Sequence, residues 1–227
     1  MILGAMQPYF LPYLGYFRLI DCCDVFVILD RVNFINRGYI HKNTVVDNTG
    51  NILEIKLNCT NKSQNTLICD VNLDPDKKWK KKLIKSIKMS CGRAPNLSEH
   101  LSEIEEALYE FESISLFNVF LIKYVCNLLN INTSIYLESE LYEDSVEGKE
   151  TRIISLAKEF GCNSYLNPIA GLALYEKSYF EKSEIELLGY RYREIDNAGL
   201  SVLTLLMNNF KYEKWKLYGN EEIIRGF

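Results

Sequence analysis

The chain has 227 residues, 48% of them hydrophobic and 25% charged, with a formal net charge of -4 and an isoelectric point near 5.4. That length fits one large domain able to bury a substantial core, and the acidic balance argues against a whole-protein footprint on double-stranded nucleic acid. Seven cysteines without a C-x-x-C, a start (MILGAMQPYF) lacking a basic n-region, and no run approaching roughly 20 apolar residues predict reduced thiols, no membrane insertion and a cytoplasmic location.

Residues 2–6 read as a short apolar strand. In the following QPYFLPYLGY, Pro8 and Pro12 remove backbone donors that a helix or central strand needs, so a loop of fixed shape is expected. Residues 16–20 suit a short helix, and 25–29 (VFVIL) is an uninterrupted apolar run of the kind buried in parallel sheets. Strand, loop, helix and strand make a βαβ unit.

Residues 53–57 and 67–73 alternate as strands, joined by a polar CTNKSQN stretch. Asp74 and Pro75 read as an N-cap and first helical position, with Trp79, Leu83 and Ile87 recurring behind them to about residue 89. This helix carries seven lysines and the next, about 98–112, six glutamates. The two charged faces are expected to neutralise one another in a helical hairpin, with an anion site as the minority reading.

Residues 115–129 are apolar almost all round and fit a buried helix. A strand at 131–137 follows, then a helix ending at Gly161 in C-cap position and a strand at 164–166. A helix near 174–187, an extended 190–195, and Ser201 capping a helix over 202–208 complete the chain. The fold class is therefore α/β, a mostly parallel open sheet with flanking helices. It is read as one domain over 1–227 with a helical insertion at about 74–130.

The chain lacks G-x-x-x-x-G-K-[ST], G-x-G-x-x-G, G-x-S-x-G and H-E-x-x-H, which weakens phosphate-loop, dinucleotide, serine-hydrolase and zincin readings. Two histidines and scattered cysteines give no zinc pattern, so no metal is expected. In QPYFLPYLGYF, Gln7, Tyr9, Tyr13 and Tyr16 put amide and phenol groups on a stiff loop at a strand's C-terminal end, where open α/β sheets bind ligands. The same residue types also suit an aromatic plug over the core.

Asp30, Asn33, Arg37, His41, Lys42 and Asn43 follow the second strand and are expected to converge with the tyrosine loop. Arg37 suits bidentate phosphate or carboxylate binding, Lys42 a simpler charge contact, and His41 proton abstraction from an amine or hydroxyl. The bland alternatives are an Arg37–Asp30 structural pair and a merely exposed His41. Downstream, Arg152 opens a helix, and Asn167-Pro168-Ile169-Ala170-Gly171 ends a strand with a loop whose Gly171 allows close backbone approach. Tyr165 and Tyr175 suit stacking on a base or sugar, or simple packing. Ser201 reads first as a cap and only second as a nucleophile.

Residues 6–30, MQPYFLPYLGYFRLIDCCDVFVILD, resemble the opening of the WbqC-like family, bacterial proteins found among genes for O-antigen and related surface polysaccharide synthesis. Further similarity covers NFINRGYIHKN (33–43), Arg93-Ala94-Pro95, the stretch from 150 to 175 with SYLNPIAGLALY, and LSVLTLLMN (200–208). The family pattern has asparagine and arginine at His41 and Lys42, aspartate at Thr204 and glycine at Phe210, so this chain resembles a divergent member. A weaker topological resemblance links the βαβ unit, with Tyr13-Leu14-Gly15-Tyr16 at its turn, to H-x-G-H nucleotidyltransferases. Phenols do not reproduce the imidazolium charge of that signature.

The resemblance implies a transferase of surface-glycan biosynthesis adding an acyl or aminoacyl group, such as glycyl, to a nucleotide-linked amino sugar. On that reading no resident cofactor is expected beyond an activated acyl or aminoacyl donor. Arg37, Lys42 and Arg152 would hold phosphate or carboxylate, His41 would be the base, and the tyrosine loop would seat the sugar. The alternatives are a noncatalytic sugar-nucleotide binding or scaffold protein and a nucleotidyltransferase. Homo-oligomerisation stays open.

Overall fold

The computed structural model describes residues 1–142, 148–194, 200–208, 215–216 and 219–225. A six-stranded sheet organises the chain. Its strands are β1 (Ile2–Met6), β2 (Val25–Ile28), β7 (Ser134–Leu137), β8 (Ser164–Pro168), β9 (Glu186–Glu194) and β10 (Gly219–Ile224), in the order β10-β9-β8-β1-β2-β7. Every neighbouring pair is parallel except β9 with β10. From β1 the chain first builds outward through β2 and β7, then crosses back to place β8 and β9 on the other side. Strand order therefore reverses between β1 and β8, and a crevice opens beyond the C-terminal ends of those two strands.

The pleat sorts the strand residues between two faces. Leu3, Ala5, Val25, Val27 and Tyr165 pack with Ile153, Leu156 and Ala157 of helix α6 (Lys149–Glu159) and Phe180 of α8 (Lys177–Lys182). Phe26, Ile28, Leu166 and Leu188 face α1 (Leu14–Asp21), α4 (Ile114–Leu128) and α9 (Val202–Met207). A third cluster joins α2 (Lys77–Cys91), α3 (Leu97–Glu110) and α4 to the hairpin of β3 (Lys42–Val46) and β4 (Ile52–Lys56). No helix among the described residues is long and apolar enough to cross a membrane.

The expected mostly parallel sheet and N-terminal βαβ unit are present, with several local corrections. Helix α1 begins two residues before the expected 16, at Leu14. Asp76, not Asp74, caps α2: its side chain accepts from Lys78 N–H at 2.9 Å, while Asp74 accepts from Asp76 N–H. The expected strand at 67–73 is a 3-10 turn (Ile68–Asp70) followed by β6 (Asn72–Leu73), which pairs with β5 (Cys59–Thr60). The expected helix near 174–187 is confined to α8, because Glu184 adopts a left-handed φ of 59° and the chain then enters β9. Gly161 sits just past the C-cap Phe160 of α6, with φ 64°.

The lysine-rich and glutamate-rich helices make one ion pair among the described residues, Lys88 to Glu105 at 3.4 Å. Lys80 instead turns inward and donates to Leu108 O at 2.7 Å, near the C-terminal end of α3, where a cation is favoured.

Candidate functional site

The proline-stiffened loop leaves carbonyls without regular partners, and buried side chains take them up. Asn118 donates to Pro8 O at 2.9 Å and Ile40 O at 2.8 Å. Asn43 donates to Phe10 O at 3.0 Å and Leu11 O at 2.8 Å, and Ser201 also donates to Leu11 O. Tyr16, fully buried, donates its phenol to Gln7 O at 2.9 Å. Asn43, Tyr16 and Ser201 thus shape the loop.

The loop and the reversal of strand order frame a cavity of about 700 Å³ beyond β1 and β8. Its floor holds Ala5, Tyr165 and Asn167, and its walls include Met6, Leu29, Val32, Ile153 and Pro168. Gln7 and Tyr9 enter from the loop after β1. Gly148, Lys149 and Arg152 come from the start of α6, and Ala170, Gly171, Leu174 and Tyr175 from the segment after β8, which contains α7 (Ile169–Leu172). Of the expected site residues, the structure brings together Gln7, Tyr9, Arg152, Gly171 and Tyr175. Sequence reasoning missed Lys149 as a site residue and named Asn167 only as part of a flexible strand end.

Arg152 is held by a buried carboxylate: its Nε lies 3.1 Å from Glu138 Oε1, and Glu138 Oε2 accepts from Arg31 N–H. Burial raises the Glu138 carboxyl from its ordinary value, and the Arg152 charge opposes that rise. Lys149 sits at the mouth, donating to Leu174 O at 2.8 Å. Two cations line the cavity, and no carboxylate does among the described residues. Tyr165 stacks on Phe180 at 6.1 Å and meets Tyr175 edge-on at 5.7 Å. Burial pushes the Tyr165 phenol well above its usual range, so it stays protonated.

Tyr9 also borders a smaller cavity with Pro12, Tyr13, Tyr39 and Asn43. The Tyr13-Leu14-Gly15-Tyr16 turn therefore touches this side pocket and does not line the main cavity.

The remaining expected residues lie elsewhere. Asp30 is fully buried and accepts from Ser115 Oγ at 2.9 Å, Ser139 N–H at 3.0 Å and Ser139 Oγ at 2.7 Å, a structural role without Arg37. Asn33 and Arg37 are exposed. Lys42 pairs with Glu54 at 3.3 Å across the β3–β4 hairpin. His41 is 2% exposed against Phe34 and lines neither cavity. Burial, then the charges of Lys62, Lys56 and Lys42, push its imidazole down to about 4. The convergence expected for residues 30–43 is met in the main cavity by apolar Val32 and Ile35 instead. Thr204 accepts from Val46 N–H at 3.2 Å, and Phe210 falls outside the described residues.

The cavity lies at the strand-order reversal of an open α/β sheet, the position at which such sheets bind small ligands. The WbqC-like protein family model matches residues 7–214, and the chain belongs to that family. It is 23% identical over 221 residues to the uncharacterized protein Rv1507c of Mycobacterium tuberculosis, covering 90% of this chain and 92% of that protein. No solved structure matches significantly.

Proposed function

We propose that the protein is a transferase of bacterial surface-glycan biosynthesis that adds an acyl or aminoacyl group to a nucleotide-linked amino sugar held in this cavity. The observation that carries the reading is the cation pair, Arg152 anchored by Glu138 and Lys149 at the mouth, with no carboxylate among the described lining residues. Such a site favours phosphate, and its apolar walls accommodate the less polar parts of a substrate. In the transfer, the sugar amine attacks the donor carbonyl, an N–C bond forms, the bond to the donor's carrier breaks, and the amine proton leaves with the carrier. The site's contribution is positioning of the substrate and stabilisation of developing negative charge by the cations. His41 is structural in this reading.

A binding protein of the same pathway is the second reading. It is favoured by the lack of imidazole, thiol or carboxylate among the described lining residues. Mass spectrometry of a nucleotide-linked amino sugar incubated with an acyl-thioester or aminoacyl donor separates the two. The transferase yields an acylated product that Arg152→Gln abolishes. A protein that is stabilised by the sugar nucleotide but yields no product with either donor class is a binding protein.

A further inference from the structure

The deepest polar group of the cavity is Asn167, at the end of β8. It is 6% exposed, lines the cavity, and its carboxamide bonds to none of the described residues. Asn167 lies one residue before Pro168, the N-cap of α7, and does not cap that helix. Gly171 packs directly against this amide, since a Cβ there would lie 2.7 Å from Asn167 Nδ2. Gln7, at the end of the adjacent parallel strand β1, presents a second carboxamide that likewise bonds to none of the described residues. Both carboxamides open onto the cavity with their hydrogen-bonding groups untaken by the described residues, so a ligand that enters can engage them.

We infer that Gln7 and Asn167 read the imide edge of a pyrimidine base, uracil or thymine, so that the nucleotide enters base first with its phosphates at Arg152 and Lys149. This rests on the nucleotide-linked reading above and names its base class. Two carboxamides together supply two acceptors and more than two donors. At the C=O, N–H, C=O edge of uracil or thymine, each carboxamide NH2 donates to one carbonyl and one carboxamide oxygen accepts the ring N–H. The depth order agrees: Asn167 is buried at the floor, Arg152 is 16% exposed above it, and Lys149 is exposed at the mouth. Tyr165 and Tyr175 add aromatic surface beside the floor.

Isothermal titration of the full chain with uridine diphosphate, adenosine diphosphate, cytidine diphosphate and pyrophosphate tests this. Uridine diphosphate is expected to bind about tenfold or more tightly than the other three. Asn167→Leu, and independently Gln7→Met, should remove that preference while leaving pyrophosphate affinity unchanged; Lys149→Met should weaken all four together. Equal binding of the three nucleotides, or a preference that survives both carboxamide variants, overturns the inference and leaves the anion site standing. Failure of all four to bind overturns the nucleotide reading with it.

Discussion

His41 is packed as a neutral imidazole, and its contribution to stability should depend on pH in a defined direction. Its ordinary value is 6.5 and burial beside Lys62, Lys56 and Lys42 lowers it to about 4. Between those values the unfolded chain binds the extra proton, so stability rises with pH there. The contribution is fully present above about pH 6.5 and is lost as pH falls towards 4. The full gap is worth about 3 kcal/mol, and at pH 4.5 about 2.5 kcal/mol is already lost. Because Nδ1 has no hydrogen-bond partner among the described residues, His41→Phe should cost about 1 kcal/mol or less at pH 7. Urea unfolding of both proteins at pH 7 and 4.5 cancels the carboxylates they share. The stability difference should move by about 2.5 kcal/mol in favour of the variant at pH 4.5, or about 5–10 °C in Tm. Parallel pH dependences of wild type and variant would refute a buried neutral histidine, and loss of ligand binding in the variant would refute its distance from the site.

Gly171→Val should push the Asn167 carboxamide aside and weaken ligand binding about tenfold, with little change in unfolding midpoint because that amide bonds to none of the described residues; calorimetry and thermal melts check the two halves. Asn118→Leu strands two buried carbonyls, Pro8 O and Ile40 O, and should cost about 2–4 kcal/mol in urea unfolding. Glu138→Leu removes the buried carboxylate that Arg152 Nε faces and should cost about 1–3 kcal/mol in urea unfolding, part of it recovered in the Glu138→Leu, Arg152→Met double variant. A double variant no more stable than Glu138→Leu would show that the pair is not coupled.

The strands that build the crevice were legible because buried parallel strands need apolar side chains on both faces, and the 2–6 and 25–29 runs have them. The C-terminal ends of such strands also pointed to Gln7 and Tyr9. Residues 67–73 misled because alternation was local: Ile68, Val71 and Leu73 are all buried, but through a 3-10 turn and a two-residue strand. Residues 174–187 misled because a helical pattern runs on in sequence past the left-handed Glu184, where the backbone turns into β9. The polar residues 30–43 looked like chemistry, yet Asp30, His41 and Asn43 are buried, two of them in long-range hydrogen bonds that sequence spacing does not encode. Asn167 was within reach of the same strand-end argument that found Gln7. Lys149 offered no signal of its own beyond its place at a helix start, since its role depends on β1 and β8 being neighbours.

A crystal structure of the protein with a uridine-diphosphate-linked amino sugar tests the central claim most directly. The account predicts ligand density beyond β1 and β8, with phosphate oxygens on Arg152 and Lys149. Density seated instead on the exposed Arg37 or on the Lys42–Glu54 hairpin, with this cavity empty, would contradict it.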